Sequence, residues 1–223
     1  MRILKVPPSR RVWIFDLDNT LHDATRYIMP HINRSMTAYV QEQLALDEGA
    51  AAALRIEYWQ RYGATLLGLM RHHATDPHHF LWRTHQFPDL SRMVVVERGA
   101  RHALRKLRGR KIIFSNAPAH YVHAVLGELG IATLFDAVYA IEHTRFRPKP
   151  DRAGFHRLLA AERLIPTRAV LVDDTLVNLQ AARRLGLGTV WVSRQPGAPS
   201  YVDAKIRTVR ELPRLATRLG LAR

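Results

Sequence analysis

The feature that most constrains the fold of this chain is the alternation of short apolar runs with helical patterns after residue 99. The apolar runs have the length of buried strands, and the stretches between them have the spacing of helices. We predict strands at 12–15, 111–114, 137–141, 169–172 and 188–192, and helices near 97–108, 119–129, 151–162 and 176–185. Continuously apolar strands that alternate with helices are typical of a parallel sheet covered on both faces. The predicted fold class is therefore α/β, with a Rossmann-like parallel core.

Composition excludes several classes of protein. The 223 residues include no cysteine, which excludes disulfides, thiolate metal sites and cysteine nucleophiles. No apolar run is long enough to cross a membrane, and the basic N-terminus lacks the apolar core of a secretory signal, so we expect a cytoplasmic protein. The formal net charge of +15 makes a non-enzymatic basic nucleic-acid-binding protein the alternative class. The arginines are dispersed, however, and no nucleic-acid-binding module is recognisable, so we do not expect nucleic acid as a partner.

Polar side chains follow several predicted strands at their carboxyl ends, where ligands bind in parallel α/β sheets. They are Asp16 and Asp18 after the first strand, Ser115 and Asn116 after the second, Asp173 and Asp174 after the fourth, and Lys149 in a loop before a helix. Clustered carboxylates repel one another unless a cation neutralises them, and ligands that are all oxygen atoms favour Mg²⁺. A divalent cation beside a lysine and a hydroxyl group is typical of a site that handles phosphate.

The segments that carry these residues resemble the four ordered motifs of the haloacid dehalogenase-like superfamily. They are DLDNTLHDA, FSNAP, RPKPD and LVDDTLVNLQAA, and the resemblance extends from residue 12 to about residue 193. A single motif of this kind is weak. All four occur here in order, each after a predicted strand or at the start of a helix, and that combination is specific.

The resemblance implies a role for each motif residue. Asp16 would be the nucleophile that forms an aspartyl-phosphate, and Asp18 would protonate the leaving alkoxide and then activate water. Ser115 and Asn116 would bind the phosphoryl group that is transferred. Lys149 would hold both Asp16 and the charge of the phosphate.

The resemblance also implies how the cofactor, Mg²⁺, is bound. Asp16, the backbone carbonyl of Asp18 and Asp173 would be its ligands. Asp174 would orient the water shell of the metal or Lys149. Asn178 stands where some relatives carry another acid.

Asp18 distinguishes two reactions within the superfamily. A halide needs no proton to leave, whereas an alkoxide that leaves a phosphate monoester does, so Asp18 favours a phosphatase. A phosphomutase uses the same groups with a second phosphate site, and it stays open as an alternative.

The position of an insertion follows from the spacing of the motifs. The interval between Asp16 and Ser115 is far longer than one strand crossover requires, and the excess has a helical pattern throughout. We therefore predict an all-helical cap at residues 25–90, inserted into an α/β core formed by residues 1–24 and 91–223. Such a cap would cover the site and exclude water.

Substrate selectivity is expected in this cap. The segment that begins at Tyr58 resembles the cap of the pyrimidine 5′-nucleotidase branch. Tyr58 and Tyr62 share one helical face with Arg61 beside them, so the rings can stack on a base and the guanidinium can pair with its carbonyls. The expected partner is a small phosphorylated metabolite, a pyrimidine nucleoside 5′-monophosphate, bound by a monomer or homodimer. In the alternative, the two tyrosines pack the helices of the cap, and the protein is a broad-specificity phosphatase.

Overall fold

A computed structural model describes residues 11–97 and 99–218 of the chain. The chain folds into two compact units. The first, which we call the α/β unit, comprises residues up to Asp23 and those from Val95 onward; the second, the helical unit, is Ala24–Val94. Within the described ranges, no helix combines the length and the apolar character that a membrane crossing requires.

The α/β unit is built on a six-stranded sheet, and it also contains a separate two-stranded pair. The strands are β1 (Val12–Phe15), β2 (His22–Asp23), β3 (Val95–Val96), β4 (Arg110–Phe114), β5 (Ala137–Tyr139), β6 (Ala169–Asp173), β7 (Gly188–Val192) and β8 (Ala204–Ile206). The large sheet has the order β5-β4-β1-β6-β7-β8, and every neighbouring pair in it is parallel. β2 and β3 pair antiparallel. The predicted α/β class with a Rossmann-like parallel sheet is confirmed.

The centre of the large sheet explains its apolar sequence. β1 lies between β4 and β6, and Ile14 is paired with Ile112 on one side and Leu171 on the other. All four residues of β1 are buried, because helices cover both faces of a parallel sheet of this kind. Phe155 packs into the same apolar core.

The helices fall into two groups. The helical unit contains α1 (Ile28–Leu44), α2 (Glu48–Tyr62), α3 (Thr65–His73), α4 (Pro77–Thr84) and α5 (Leu90–Met93), and the α/β unit contains α6 (Ala100–Lys106), α7 (Ala119–Glu128), α8 (Arg152–Ala161), α9 (Leu176–Arg184) and α10 (Leu212–Arg218). Capping residues set where the helices of the helical unit begin and end. The side chains of Asp47 and Asp76 accept hydrogen bonds from the first turns of α2 and α4, and Gly63, at φ +83°, ends α2.

Two elements are clearly shorter than the sequence predicted, and one strand of the large sheet was not predicted. The strand predicted at 137–141 ends at Tyr139, because the N–H of Ala140 donates to Nδ1 of His143 and starts a short 3₁₀ helix. The helix predicted at 97–108 is only α6, and Arg98, which that prediction includes, lies outside the described residues. β8 was not predicted, because three residues are too few to show a strand pattern.

Candidate active site

The sheet order brings three motif-bearing strand ends together. β1 lies between β4 and β6, and in a parallel sheet the carboxyl ends of neighbouring strands meet at one edge. Asp16 directly follows β1, Ser115 directly follows β4, and Asp173 is the last residue of β6. The N–H of Asp16 still bonds to the carbonyl of Val172 at 2.9 Å, which fixes its backbone to the sheet.

Lys149 connects two of these ends. Its Nζ lies 2.8 Å from Oδ1 of Asp16 and 2.8 Å from Oδ2 of Asp173, and only 1% of its side chain is exposed. Burial by itself lowers the pKa of the ammonium, but the charges of the two carboxylates outweigh it and hold that pKa above its ordinary value. Lys149 therefore stays charged between the two carboxylates.

Asn116 holds the loop that carries Lys149. Its Oδ1 accepts the backbone N–H of Lys149 at 2.7 Å, and its Nδ2 donates to the backbone carbonyl of Lys149 at 3.0 Å. The sequence suggested Asn116 as a substrate ligand. In the structure its side-chain amide bonds to the backbone of Lys149 while the residue stays exposed, so binding of the substrate stays a prediction.

Asp173 is the most fully bonded of the carboxylates. Its Oδ1 accepts the N–H of Thr175 at 2.8 Å, its Oδ2 accepts from Lys149, and Nδ2 of Asn178 lies 3.1 and 3.2 Å from the two oxygens. A carboxylate offers about four lone-pair sites. Three donors, one of them shared between both oxygens, therefore occupy most of the acceptor sites of Asp173.

Asp174 is only half-buried, and Oγ1 of Thr175 donates to it at 3.3 Å. Burial, followed by the charge of Asp173, raises the pKa of Asp174 to about 6. The backbone carbonyl of Asp174 accepts from the indole of Trp191 at 2.9 Å, which fixes the main chain there.

The acidic groups are close enough to share a cation. One oxygen from each of Asp16, Asp173 and Asp174 lies within 4.8 Å of the others. Burial and the charges of the other two acids raise the pKa of Asp16 well above its ordinary value, although Lys149 opposes the shift. Carboxylates are costly to gather in this way, and a bound divalent cation would remove the cost. The cluster therefore fits a metal ion.

Asp18 is held by two residues to which the sequence analysis assigned no role. The hydroxyl of Tyr121 in α7 donates to Oδ1 of Asp18 at 2.6 Å, and Nε2 of His22 lies 2.9 Å from the same oxygen. Burial, followed by the charge of Asp18, raises the pKa of the Tyr121 phenol, which therefore stays protonated. His22 lies within the first motif, but nothing in the sequence near Tyr121 indicates which way its side chain turns.

Ser115 lies at the edge where the sequence placed it. Its side chain is buried, and Oγ accepts the N–H of Ala117 at 3.1 Å. This contact turns the chain at the end of β4 and fixes the position of the hydroxyl oxygen.

Tyr58 packs inside the helical unit. A Cβ atom at Gly68 would lie 2.2 Å from the Tyr58 ring, so α2 and α3 meet closely at this pair. The Tyr58 hydroxyl is 2.8 Å from Nε2 of His73, and only 6% of the residue is exposed. Its proposed stacking on a base is thus corrected by the structure, since the ring already fills the contact between two helices.

Tyr62 and Arg61 are more accessible. The hydroxyl of Tyr62 lies 2.6 Å from Nε2 of His72, and the guanidinium groups of Arg61 and Arg71 lie 5.4 and 5.7 Å from the centre of its ring. Arg61 also forms an exposed ion pair with Glu57 at 3.9 Å. Of the three residues suggested for the base, these two keep surface that a ligand can reach.

Comparisons with known proteins agree with this arrangement. The chain is 26% identical over 200 residues to Phosphate metabolism protein 8 of Saccharomyces cerevisiae, a match that covers 82% of this chain and 61% of the yeast protein. It thus spans less than two thirds of that relative. It is 25% identical over 208 residues to Phosphoglycolate phosphatase of Pseudomonas putida, covering 87% and 74% of the two chains.

The fold is also known from solved structures. A HAD phosphatase from Thermococcus onnurineus superimposes with a TM-score of 0.65 at 20% identity, over 92% of this chain and 97% of the other. The family model of the haloacid dehalogenase-like hydrolases matches residues 11–186, which include the carboxyl ends of β1, β4 and β6. Together with the buried Asp16–Lys149–Asp173 contacts, this match establishes that the chain belongs to the haloacid dehalogenase-like hydrolases.

Proposed function

We propose that the protein is a Mg²⁺-dependent phosphate monoester hydrolase that acts through an aspartyl-phosphate on Asp16. The observation that carries the proposal is the buried contact of Lys149 with Asp16 at 2.8 Å, inside a cluster of carboxylates. The ammonium orients the nucleophilic carboxylate and compensates the charge of an incoming phosphate. The name of the Pseudomonas relative, a phosphatase, supports the same reaction.

The reaction has two steps. In the first, an oxygen of Asp16 attacks phosphorus, the bond from phosphorus to the leaving oxygen breaks, and Asp18 gives that oxygen a proton. In the second, water attacks the phosphorus of the aspartyl-phosphate, Asp18 takes a proton from the water, and the bond to Asp16 breaks to release inorganic phosphate. Ser115 would bind the phosphoryl oxygens during both steps.

Asp18 supports hydrolysis of a phosphate ester rather than of a carbon–halogen bond. A departing halide needs no acid, whereas the alkoxide of a phosphate monoester does. Tyr121 and His22 contact this carboxylate directly, so its position is defined even though it lies outside the cluster around Lys149. A phosphomutase would use the same groups and stays an alternative.

The cofactor we propose is Mg²⁺, because the ligands are oxygen atoms. Asp16, Asp174 and the backbone carbonyl of Asp18 would hold it, and Asp173 would orient Lys149. This exchanges the roles that the family resemblance suggested for Asp173 and Asp174, since the oxygens of Asp173 are already bonded. When bound, the ion supplies positive charge that stabilises the phosphoryl oxygens.

We propose further that the helical unit is the cap and that the substrate is a pyrimidine nucleoside 5′-monophosphate. Tyr62 and Arg61 support a base-binding surface, as a half-buried ring beside an exposed guanidinium group. The burial of Tyr58 favours the second candidate, a broad-specificity phosphatase for small molecules, because it leaves one ring fewer for a base. The cytoplasmic location and the monomeric or homodimeric state stay predictions from the sequence.

A substrate panel tests these proposals. The purified full chain is assayed for phosphate release from UMP, CMP, AMP, GMP, phosphoglycolate and sugar phosphates, with Mg²⁺ and with a chelator. We expect metal-dependent release, fastest from UMP and CMP, and Asp16→Asn should reduce kcat by at least about 10³-fold while the protein stays folded. Equal rates for all nucleotides, or faster release from the other esters, would leave the broad-specificity phosphatase. An active Asp16→Asn variant would exclude Asp16 as the nucleophile.

A further inference from the structure

Two buried side chains form hydrogen bonds to the same oxygen of Asp18. The Tyr121 hydroxyl is 2.6 Å and Nε2 of His22 is 2.9 Å from Oδ1. Tyr121 is 1% exposed and the His22 side chain is fully buried, so neither is free to follow a moving carboxylate. Tyr121 belongs to α7 and His22 to β2, two separate elements of the α/β unit. The contact from Tyr121 is tertiary, whereas His22 reaches Asp18 from only four residues further along the chain.

The arrangement distinguishes the two oxygens of Asp18. A carboxylate only accepts hydrogen bonds, so the phenol and the imidazole both donate to Oδ1. Nδ1 of His22 is buried and has no hydrogen-bond partner among the described residues, which suits the nitrogen without a proton. With Oδ1 occupied by two donors, Oδ2 is the oxygen that carries and exchanges the proton.

We propose that Tyr121 and His22 are positioning residues for Asp18, an inference that rests on the proposed phosphatase function. By holding Oδ1, they aim Oδ2 at the oxygen of the leaving group. The Oδ2 proton moves to that oxygen as its bond to phosphorus breaks, and Oδ2 recovers a proton from the water that attacks next. Neither Tyr121 nor His22 touches the reacting atoms in this account.

The effect of a misplaced acid depends on how much the leaving group needs a proton. The 4-nitrophenolate ion is stable without one, whereas the alkoxide of benzyl alcohol is not, and the two phosphate esters are similar in size. The parameter kcat/KM reports the first step and omits the later attack of water. We therefore expect Tyr121→Phe to lower kcat/KM at least about tenfold for benzyl phosphate and less than about threefold for 4-nitrophenyl phosphate.

The matched control is Tyr139→Phe. The Tyr139 hydroxyl also donates to a carboxylate of the α/β unit, Glu162, at 2.8 Å. That variant should leave the ratio of the two kcat/KM values unchanged. If Tyr121→Phe fails to unfold cooperatively on heating, His22→Leu, which removes the other donor, carries the test and should change the ratio in the same direction.

The possible results separate the two proposals. A wild-type protein that hydrolyses neither ester overturns the phosphatase function and this inference with it. An active wild type whose Tyr121→Phe variant loses both activities equally, or loses neither, overturns the positioning role alone. A selective loss with benzyl phosphate supports it.

Discussion

The α/β unit and the helical unit both contain paired polar side chains, but they pair them by different chemistry. In the α/β unit a buried ammonium, Lys149, lies between two acids, Asp16 and Asp173. In the helical unit the corresponding contacts are between tyrosine hydroxyls and histidine rings. The pairs are Tyr39 with His79, Tyr58 with His73 and Tyr62 with His72, at 3.0, 2.8 and 2.6 Å.

The difference shows where the protein concentrates charge. Burying several like charges at one sheet edge costs free energy that simple packing would not require, and such clusters are typical of functional sites. A hydrogen bond between a phenol and an imidazole satisfies polar atoms where helices meet, at little electrostatic cost. We therefore assign the chemistry to the α/β unit and treat most polar contacts of the helical unit as parts of its packing.

Among the changes that test this comparison, removal of the Lys149 ammonium should have the largest effect on stability and activity. Lys149→Met leaves two buried carboxylates without their cation, so we expect the free energy of unfolding at neutral pH to fall by about 3–5 kcal/mol. Phosphatase activity should fall at least about 10²-fold, because the nucleophile loses its orienting group. Urea unfolding and steady-state kinetics measure both effects. Lys106→Met, on the exposed surface of α6, is the control, and equal stabilities of the two variants would refute the charge argument.

The pH dependence of stability sharpens the comparison. The pKa of Asp174 is raised to about 6, so the folded protein binds its proton more tightly than the unfolded chain does. Without metal, this contribution is present below the unfolded pKa and is lost as the pH rises from about 4 to about 6. Relative to Asp174→Asn, the wild type should lose about 1–3 kcal/mol over that window.

The same variant tests the metal site. Mg²⁺ should restore the stability of the wild type at pH 7 and should stabilise Asp174→Asn less. The variant should also need at least about tenfold more Mg²⁺ than the wild type for half-maximal activity. Urea titrations at several pH values, with chelator or Mg²⁺, measure the differences. Asp151→Asn, at the start of α8, is the control. An unchanged pH profile and metal requirement for Asp174→Asn would contradict the assignment.

The change with the smallest expected effect on stability, Gly68→Ala, tests the packing of the helical unit. Gly68→Ala places a Cβ atom 2.2 Å from the Tyr58 ring, and we expect a loss of about 1–2 kcal/mol from the resulting overpacking. Gly49→Ala, in α2, is the control. Its nearest neighbour is Oδ1 of Asp47 at 3.3 Å, which needs to move by only a few tenths of an ångström, so the change in stability should be much smaller than for Gly68→Ala. Thermal unfolding compares the two, and a fully stable Gly68→Ala protein would show that Tyr58 is free to move toward a ligand.

Much of the fold and part of the site could be predicted from the sequence. The strands just before Asp16 and Ser115, and the one that ends at Asp173, are local apolar runs next to polar residues, so they are visible without knowledge of any distant contact. Sequence order also predicted that Lys149 belongs with them. Which of the acids bonds to Lys149 and which stays open to a metal ion could not be predicted, because this depends on which donors reach each oxygen.

The sequence by itself determined the α/β class and the polar residues that follow the central strands, because both follow from short-range patterns of apolar and polar residues. Only the tertiary structure decided that Asp173 is occupied by Lys149 and Asn178, and that Tyr121 grips Asp18 from a position 103 residues away. The contacts from Lys149 and Tyr121 join segments that have no pattern in common, whereas Asn178 lies only five residues after Asp173. The direction of a side chain is set by the packing of its own element, and the sequence of one segment does not contain that information.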